Sequence, residues 1–229
     1  MQLPILDPAN PQQEFPNIET ALTDPDGLLV MGGCLSSQRI VNAYKAGIFP
    51  WYSPGEPILW WSPNPRLILI PENLIISRSL KKTIRKQIFN ITFDQAFAKV
   101  MQYCAAPRDE HTGTWISEEM TQAYTLLHRQ GIAHSVEAWF DGELVGGLYG
   151  IAIGQVFYGE SMFHKKTDAS KVAFCQLIKQ LTQWDYQLID CQVHTNHLSS
   201  LGAEEITRAD FSRLIKQYCS IFPHKLAWK

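Results

Sequence analysis

Residues 155–193 read QVFYGESMFHKKTDASKVAFCQLIKQLTQWDYQLIDCQV, and the order of patterns in this stretch decides the fold. The apolar runs at 155–163 and 187–193 are typical of buried strands. Between them, one apolar stripe recurs at helical spacing from about residue 168 to 182. Its members are Val172, Cys175, Ile178 and Leu181. A strand–helix–strand order predicts two parallel strands joined by a right-handed crossover.

Polar side chains interrupt both apolar runs. Glu160 lies in the first run, and Asp190 and Gln192 lie in the second. Because side chains alternate along a strand, we expect Asp190 and Gln192 on one face. An unpaired buried carboxylate costs several kcal/mol, so these groups must have partners. They are therefore either structural hydrogen-bond hubs or groups that meet a polar substrate near the ends of the strands.

The surrounding segments indicate an α+β fold with a mixed, mostly antiparallel sheet. AHSVEAWF (133–140) and ELVGGLYG (143–150) flank Asp141-Gly142, which is a strong hairpin signal. Further strands are predicted at 66–70 and 88–93. Three more helices are predicted, with N-caps at Asp94, Ser117 and Thr207, and a charge-rich loop is expected at 107–113.

The N-terminal part differs in composition, because eleven of the 13 prolines precede residue 72. We therefore predict a small proline-rich domain at 1–64 and a larger domain at 65–229. A helix over about 36–46 begins after the N-cap Ser36. The proline-rich segment 48–66 is expected to form an aromatic loop rather than a central strand or a long helix. It is either a packing lid or a platform for a flat ligand.

Composition excludes several classes of protein. With 229 residues, 45% hydrophobic and 18% charged, the chain can bury a sizeable core. No apolar run approaches the roughly 18–20 residues of a membrane span, and the first fourteen residues lack the basic charge of a signal peptide. The five scattered cysteines, without a CxxC pair, favour a reducing, cytoplasmic location.

Positive charge is concentrated in one stretch although the net charge is −2. Six bases and one acid, Glu72, lie between residues 66 and 86. The bases are Arg66, Arg78, Lys81, Lys82, Arg85 and Lys86. This cluster is either a solvated helical face or a local phosphate-binding patch.

Several motifs together resemble one known family. They are IFPWYSPGEPILWWSPNPR (48–66), GTWIS (113–117), HSVE (134–137), ELVGGLYG (143–150), GESMF (159–163), LIDCQV (188–193) and SLGAEEI (200–206). In this order they resemble the leucyl/phenylalanyl-tRNA–protein transferases. The resemblance implies a small N-terminal domain joined to a domain of the acetyltransferase-like (GNAT) fold.

The reaction implied by this resemblance moves Leu or Phe, and less readily Met, from aminoacyl-tRNA to a protein that begins with Arg or Lys. The product would be marked for degradation through the bacterial N-degron pathway. The reaction is aminolysis of an activated ester, so neither ATP, a metal nor another cofactor is expected. The protein must supply positioning, a route for the proton and support for the developing oxyanion.

The resemblance also assigns roles to residues. It implies that Asp190 and Gln192 form a relay that orients the attacking amine, and that Glu160 lines the same cleft. The resemblance also implies a pocket for the side chain of the donor amino acid. From the sequence pattern alone, the residues of this pocket would be assigned to the ordinary hydrophobic core. They are Leu148, Met162, Leu177 and Ile189. Leu148 and Leu177 replace the Met and Phe of better-known members, which leaves the preference among Leu, Phe and Met open.

The tRNA is expected to contact two further regions. Trp51 and Trp115 match the positions that hold the terminal adenosine in the family, where base stacking contributes about 1–3 kcal/mol. The acceptor-stem phosphates are expected on Arg78, Lys81, Lys82, Arg85 and Lys86. We expect a monomer that does not bind membranes.

Two other functions remain possible from the sequence. An acyl-CoA-dependent acetyltransferase could share the fold, but no glycine follows a Gln or Arg by three residues, as the usual pyrophosphate loop requires. A non-catalytic module that binds RNA ends could use the aromatic loop alone. A zinc site at His194 and His197 is disfavoured, because no further ligands cluster nearby in the sequence.

Overall fold

The computed structural model describes residues 3–106 and 114–229, which form two sheets and the helices around them. The predicted loop at 107–113 and the first residue of GTWIS lie outside the described residues. The strands are β1 (Ile5–Leu6), β2 (Leu28–Gly32), β3 (Phe49–Pro50), β4 (Leu59–Trp61), β5 (Arg66–Leu69), β6 (Asn90–Phe93), β7 (Ala133–Phe140), β8 (Glu143–Ile153), β9 (Val156–His164), β10 (Leu188–Gln192) and β11 (Glu204–Ile206). The helices are α1 (Ser37–Lys45), α2 (Arg78–Arg85), α3 (Phe97–Cys104), α4 (Glu118–Arg129), α5 (Ala169–Gln183), α6 (Asn196–Ser199) and α7 (Arg208–Tyr218).

The larger sheet has seven strands in the order β11-β5-β10-β9-β8-β7-β6. β9 and β10 pair in parallel through the crossover helix α5, and the other neighbours in this sheet are antiparallel. The smaller sheet has the order β1-β2-β4-β3. The predicted fold class is confirmed, with a small N-terminal sheet and a larger, mixed and mostly antiparallel one.

The predicted hairpin shows how local sequence sets the register. Phe140 pairs with Glu143 across the turn, and Asp141 and Gly142 both have positive φ, 50° and 80°. This backbone matches the right-handed twist of the flanking strands and places Leu148 and Tyr149 in the middle of β8.

Two buried clusters fill the interior. One contains α5 and the strand residues that face it. The other contains α3 and α4, and it also includes Tyr44, Trp60 and Phe211 from the N-terminal part and α7. Because one cluster joins both parts, the division at residues 64 and 65 stays a prediction. No helix in the described ranges is long and apolar enough to cross a membrane.

Two local predictions are wrong. The segment 48–66 contributes β4, which lies between β2 and β3 and is therefore a central strand. Its three residues fit between Pro57 and Pro63, and Pro50 lies in the edge strand β3, where a proline is tolerated.

Asp94 does not cap the following helix. Its carboxylate accepts the backbone N–H of Ser135 at 2.8 Å and contacts Nδ1 of His134 at 2.8 Å. Helix α3 begins after Ala96, whose backbone N–H donates instead to the buried carboxylate of Glu137 at 3.3 Å.

Candidate active site

A cleft of about 610 Å³ opens beside the parallel strands β9 and β10. The middle of β8, both parallel strands and the N-terminal half of α5 contribute to its walls. Its apolar wall consists of Leu148, Phe157, Met162, Phe174, Ile189 and Leu198. Three of the four predicted pocket residues, Leu148, Met162 and Ile189, therefore lie together as expected.

The fourth predicted pocket residue, Leu177, does not line this cleft. It is fully buried within the core that contains α5. Phe174, one turn earlier on the same helix, forms the wall in its place. The sequence offered no signal for this choice, because α5 buries apolar side chains around most of its circumference.

Glu160 is the centre of the polar end of the cleft. Tyr44 Oη donates to Glu160 Oε1 at 2.6 Å, and Tyr124 Oη donates to Oε2 at 3.0 Å. Gln192 Nε2 donates to the same Oε1 at 2.8 Å. Sequence reasoning missed both tyrosines, since each lies on the buried stripe of a helix and reads as core.

Burial raises the pKa of Glu160 to about 7, and the nearby charge of Asp190 acts in the same direction. The hydrogen bonds from Tyr44, Tyr124 and Gln192 oppose this increase. The two phenol oxygens also contact each other at 2.6 Å. Each phenol has one proton, so the two phenols cannot donate in all three contacts at once. When Glu160 is neutral, its carboxyl proton serves the contact with one tyrosine, and that tyrosine donates to the other one instead. The cluster is therefore suited to changing protonation near neutral pH.

Asp190 lies next to this cluster but not in the cleft wall. Arg66 binds its carboxylate in a bidentate manner, from Nε to Oδ1 at 2.8 Å and from Nη2 to Oδ2 at 2.6 Å. Both side chains are almost fully buried, at 1% and 0% exposure. The guanidinium lies between the rings of Phe49 and Phe211, 4.7 and 4.6 Å from their centroids. Arg66 therefore belongs to this ion pair rather than to the exposed basic cluster.

The predicted arrangement of Asp190 and Gln192 on one face of a regular strand is wrong. The register of β10 against β5 shifts between these residues, and Gln192 has a φ of 63°. The backbone N–H of Gln192 donates to Asp190 Oδ1 at 2.9 Å, whereas its side chain turns to Glu160. The ion pair thus fixes the backbone from which the Gln192 amide reaches the cleft.

The two predicted adenosine contacts occupy different settings. Trp115 is half-buried and lines the cleft. Trp51 is outside the cleft wall, is 46% exposed and packs against Trp61 with ring centroids 5.5 Å apart. Its carbonyl accepts the indole N–H of Trp61 at 2.6 Å. Their joint role in binding adenosine stays a prediction.

The basic residues of α2, together with Lys86 directly after it, form a charged surface. Arg78, Lys81, Lys82, Arg85 and Lys86 are all exposed. Among the residues that the structure describes, none of the five forms an ion pair with a carboxylate. Their charge is thus available to an anionic partner.

No group of three or more His, Cys, Asp or Glu side chains within 3–106 and 114–229 is placed to hold a metal ion. Cys104 and Cys191 line the cleft, and burial raises the pKa of the Cys191 thiol above its usual range. A thiol in this state is a poor nucleophile.

Comparisons with known proteins cover nearly the whole chain. The family model of the leucyl/phenylalanyl-tRNA protein transferases matches residues 68–216, and the model of their N-terminal domain matches residues 33–64. A leucyl/phenylalanyl-tRNA–protein transferase from Nitrosomonas eutropha is 60% identical over 201 residues, which cover 88% of this chain and 86% of that protein. The one from Methylococcus capsulatus is 52% identical over 227 residues, which cover 99% and 97%.

Among solved structures, a GCN5-related N-acetyltransferase from Kribbella flavida matches with a TM-score of 0.37 and 12% identity. This match covers 72% of the present chain and 58% of the acetyltransferase.

Proposed function

This chain belongs to the leucyl/phenylalanyl-tRNA–protein transferase family, and we propose from this premise how its cleft works. It transfers Leu or Phe, and less readily Met, from aminoacyl-tRNA to a protein whose first residue is Arg or Lys. The product begins with an apolar residue and enters the N-degron pathway. The observation that carries this proposal is a cleft that joins an apolar pocket to the hydrogen-bonded pair Glu160 and Gln192.

The apolar wall binds the side chain of the donor amino acid. Leu148, Met162, Phe174 and Ile189 present unbranched, branched and aromatic surfaces without a charged group. A cleft of about 610 Å³ has room for Leu, Met or Phe together with part of the terminal nucleotide. Hydrophobic pockets distinguish side chains of similar size by only about 1–3 kcal/mol, so we expect a graded preference.

Gln192 orients the attacking α-amine. Its Nε2 is engaged by Glu160, so its Oε1 is the atom left to accept an N–H from the nucleophile. The amine attacks the ester carbonyl carbon, the new C–N bond forms, and the bond to the ribose oxygen breaks. The proton lost by the amine ends on that ribose oxygen. Because the free α-amine has a pKa of about 8, part of it is already neutral at physiological pH.

Asp190 supports this step indirectly. It holds the backbone of Gln192 and is itself neutralised by Arg66. We therefore assign Asp190 a positioning role, since it lies outside the cleft wall and its carboxylate is engaged by Arg66 and the Gln192 backbone.

Glu160 supports the choice of a cationic acceptor. It is the one carboxylate among the described residues of the cleft wall. A guanidinium or ammonium nearby would favour its ionised form, and the resulting attraction would bind Arg or Lys more tightly than a neutral first residue.

The nucleic acid binds at two places in this proposal. Trp115, at the cleft wall, and the exposed Trp51 offer ring faces for the terminal adenosine. Five exposed bases, four on α2 and Lys86 after it, meet phosphates of the acceptor stem, and their contribution should decrease with added salt. We also propose that the protein acts as a monomer.

A transfer assay tests the proposal. The purified protein is mixed with Leu-tRNA and peptides that differ only in the first residue, and mass spectrometry detects the added leucyl group. We expect transfer to peptides that begin with Arg or Lys and none to those that begin with Ala or with Nα-acetylated Arg. No transfer from any charged tRNA, or heat of binding with acetyl-CoA, would contradict it.

A further inference from the structure

The buried hydroxyl of Tyr149 is the feature of the cleft that calls for an explanation. The residue lies in the middle of β8, is fully buried and is among the residues that line the cleft. Its hydroxyl oxygen has no hydrogen-bond partner among the described residues. Of the buried side-chain polar atoms that lack a partner there, this is the one that belongs to a residue of the cleft wall.

Packing alone does not require this hydroxyl. The ring of Tyr149 lies edge-on to Tyr124 and Phe97, with centroids 5.8 and 6.0 Å apart, and phenylalanine would make the same contacts. The neighbouring phenols of Tyr44 and Tyr124 are satisfied by Glu160. A buried hydroxyl without a partner destabilises the fold, and at the cleft wall a substrate atom can supply the missing partner.

We propose that the Tyr149 hydroxyl donates a hydrogen bond to the carbonyl oxygen of the aminoacyl ester. This inference rests on the proposed transferase function. When the amine attacks, this oxygen becomes negatively charged, and the hydroxyl stabilises that charge. The C–N bond then completes, the oxygen returns to a carbonyl, and the ribose oxygen leaves with the proton from the amine. Tyr149 keeps its own proton throughout.

The surroundings keep the hydroxyl protonated. Burial raises the pKa of Tyr149 well above 10, and the nearby charge of Glu160 raises it further. A group in this state donates a hydrogen bond at any physiological pH. The cleft then offers the two atoms that aminolysis needs, an acceptor on Gln192 for the amine and a donor on Tyr149 for the oxyanion.

The test is Tyr149→Phe, which removes only the hydroxyl. Leucine transfer to an Arg-started peptide is measured in a single turnover with the enzyme in excess and saturating. We expect the rate constant to fall about 100-fold, as for the loss of one oxyanion donor, while the Kd for Leu-tRNA changes less than about twofold. The melting temperature should stay equal or rise. Tyr52→Phe is the matched control, because it removes a buried tyrosine hydroxyl outside the cleft wall and should transfer at the wild-type rate.

The outcomes separate this inference from the proposed function. Absence of transfer by the wild-type protein contradicts the function itself. A wild-type rate for Tyr149→Phe overturns the role of Tyr149 alone, and so does a loss confined to Leu-tRNA binding. Folding of the variant is checked by its melting curve, and a rate constant at saturating enzyme does not depend on a small inactive fraction.

Discussion

Replacing Glu160 by Gln should change how the stability of the protein depends on pH. The pKa of Glu160 is about 7 in the folded protein and 4.5 in an unstructured chain. The folded state therefore holds its proton more tightly than the unfolded state, and this stabilises the wild type at low pH. The benefit is complete below about pH 4.5 and is lost as the pH increases through about 7.

The magnitude follows from the difference in pKa. One pKa unit corresponds to about 1.4 kcal/mol, so ionising Glu160 in the fold costs about 3 kcal/mol at most. Glu160 is only half-buried at the cleft, so solvent screens part of this cost. Between about pH 5 and about pH 8, the free energy of unfolding of the wild type should decrease by about 2 kcal/mol relative to Glu160→Gln.

Urea denaturation at a series of pH values measures this difference. Glu143→Gln, which removes an exposed carboxylate at the start of β8, is the matched control for the loss of a surface charge. A difference between wild type and Glu160→Gln that is constant with pH, or that increases in the opposite direction, would show that burial does not raise the pKa of Glu160.

Three further substitutions test the buried ion pair, the exposed basic surface and the apolar wall of the cleft. Asp190→Asn should lower the free energy of unfolding by about 3–5 kcal/mol, because it leaves the Arg66 charge buried without its partner. The control Asp210→Asn, in an exposed ion pair, should lower the free energy of unfolding by less than about 1 kcal/mol. An equal loss of stability in the two variants would argue against the importance of burial. Lys82→Gln should reduce the slope of log affinity for tRNA against log salt by about 1, and an unchanged slope would remove this residue from the phosphate contacts. Phe174→Leu should increase the ratio of kcat/KM for Phe-tRNA to that for Leu-tRNA by about tenfold, whereas an unchanged ratio would place the donor side chain elsewhere.

Local sequence patterns were sufficient for the elements that carry the site. Alternation and the strand–helix–strand order predicted that β9 and β10 would be neighbours. Glu160 and Gln192 consequently meet, with Gln192 Nε2 2.8 Å from Glu160 Oε1. The turn at Asp141-Gly142 fixed the register of β8, because only residues that tolerate positive φ fit there.

Contacts between distant segments could not be predicted from the sequence. Arg66 and Asp190 are 124 positions apart, and no local pattern pairs them. The register shift at Gln192 was also hidden, since glutamine rarely adopts the positive φ that it has here. The resemblance implied a relay between the side chains of Asp190 and Gln192. In the structure, Asp190 instead accepts the backbone N–H of Gln192.

The choice among apolar residues depended on tertiary packing. Leu177 and Phe174 both lie on buried sides of α5, and only the rotation of the helix decides which one reaches the cleft. Tyr44 and Tyr124 read as core because their helices each show an apolar stripe. Their hydroxyls become functional only where α1 and α4 converge on Glu160.

The central claim is that the ester end of aminoacyl-tRNA occupies the cleft beside Gln192. A crystal structure with a stable analogue, adenosine that carries a phenylalanyl group in amide linkage at its 3′ position, tests this directly. We predict that the phenyl ring lies between Leu148 and Ile189 and that the carbonyl oxygen is within hydrogen-bond distance of Tyr149 Oη. An analogue bound outside this cleft, with Glu160 and Gln192 far from its carbonyl carbon, would contradict the account.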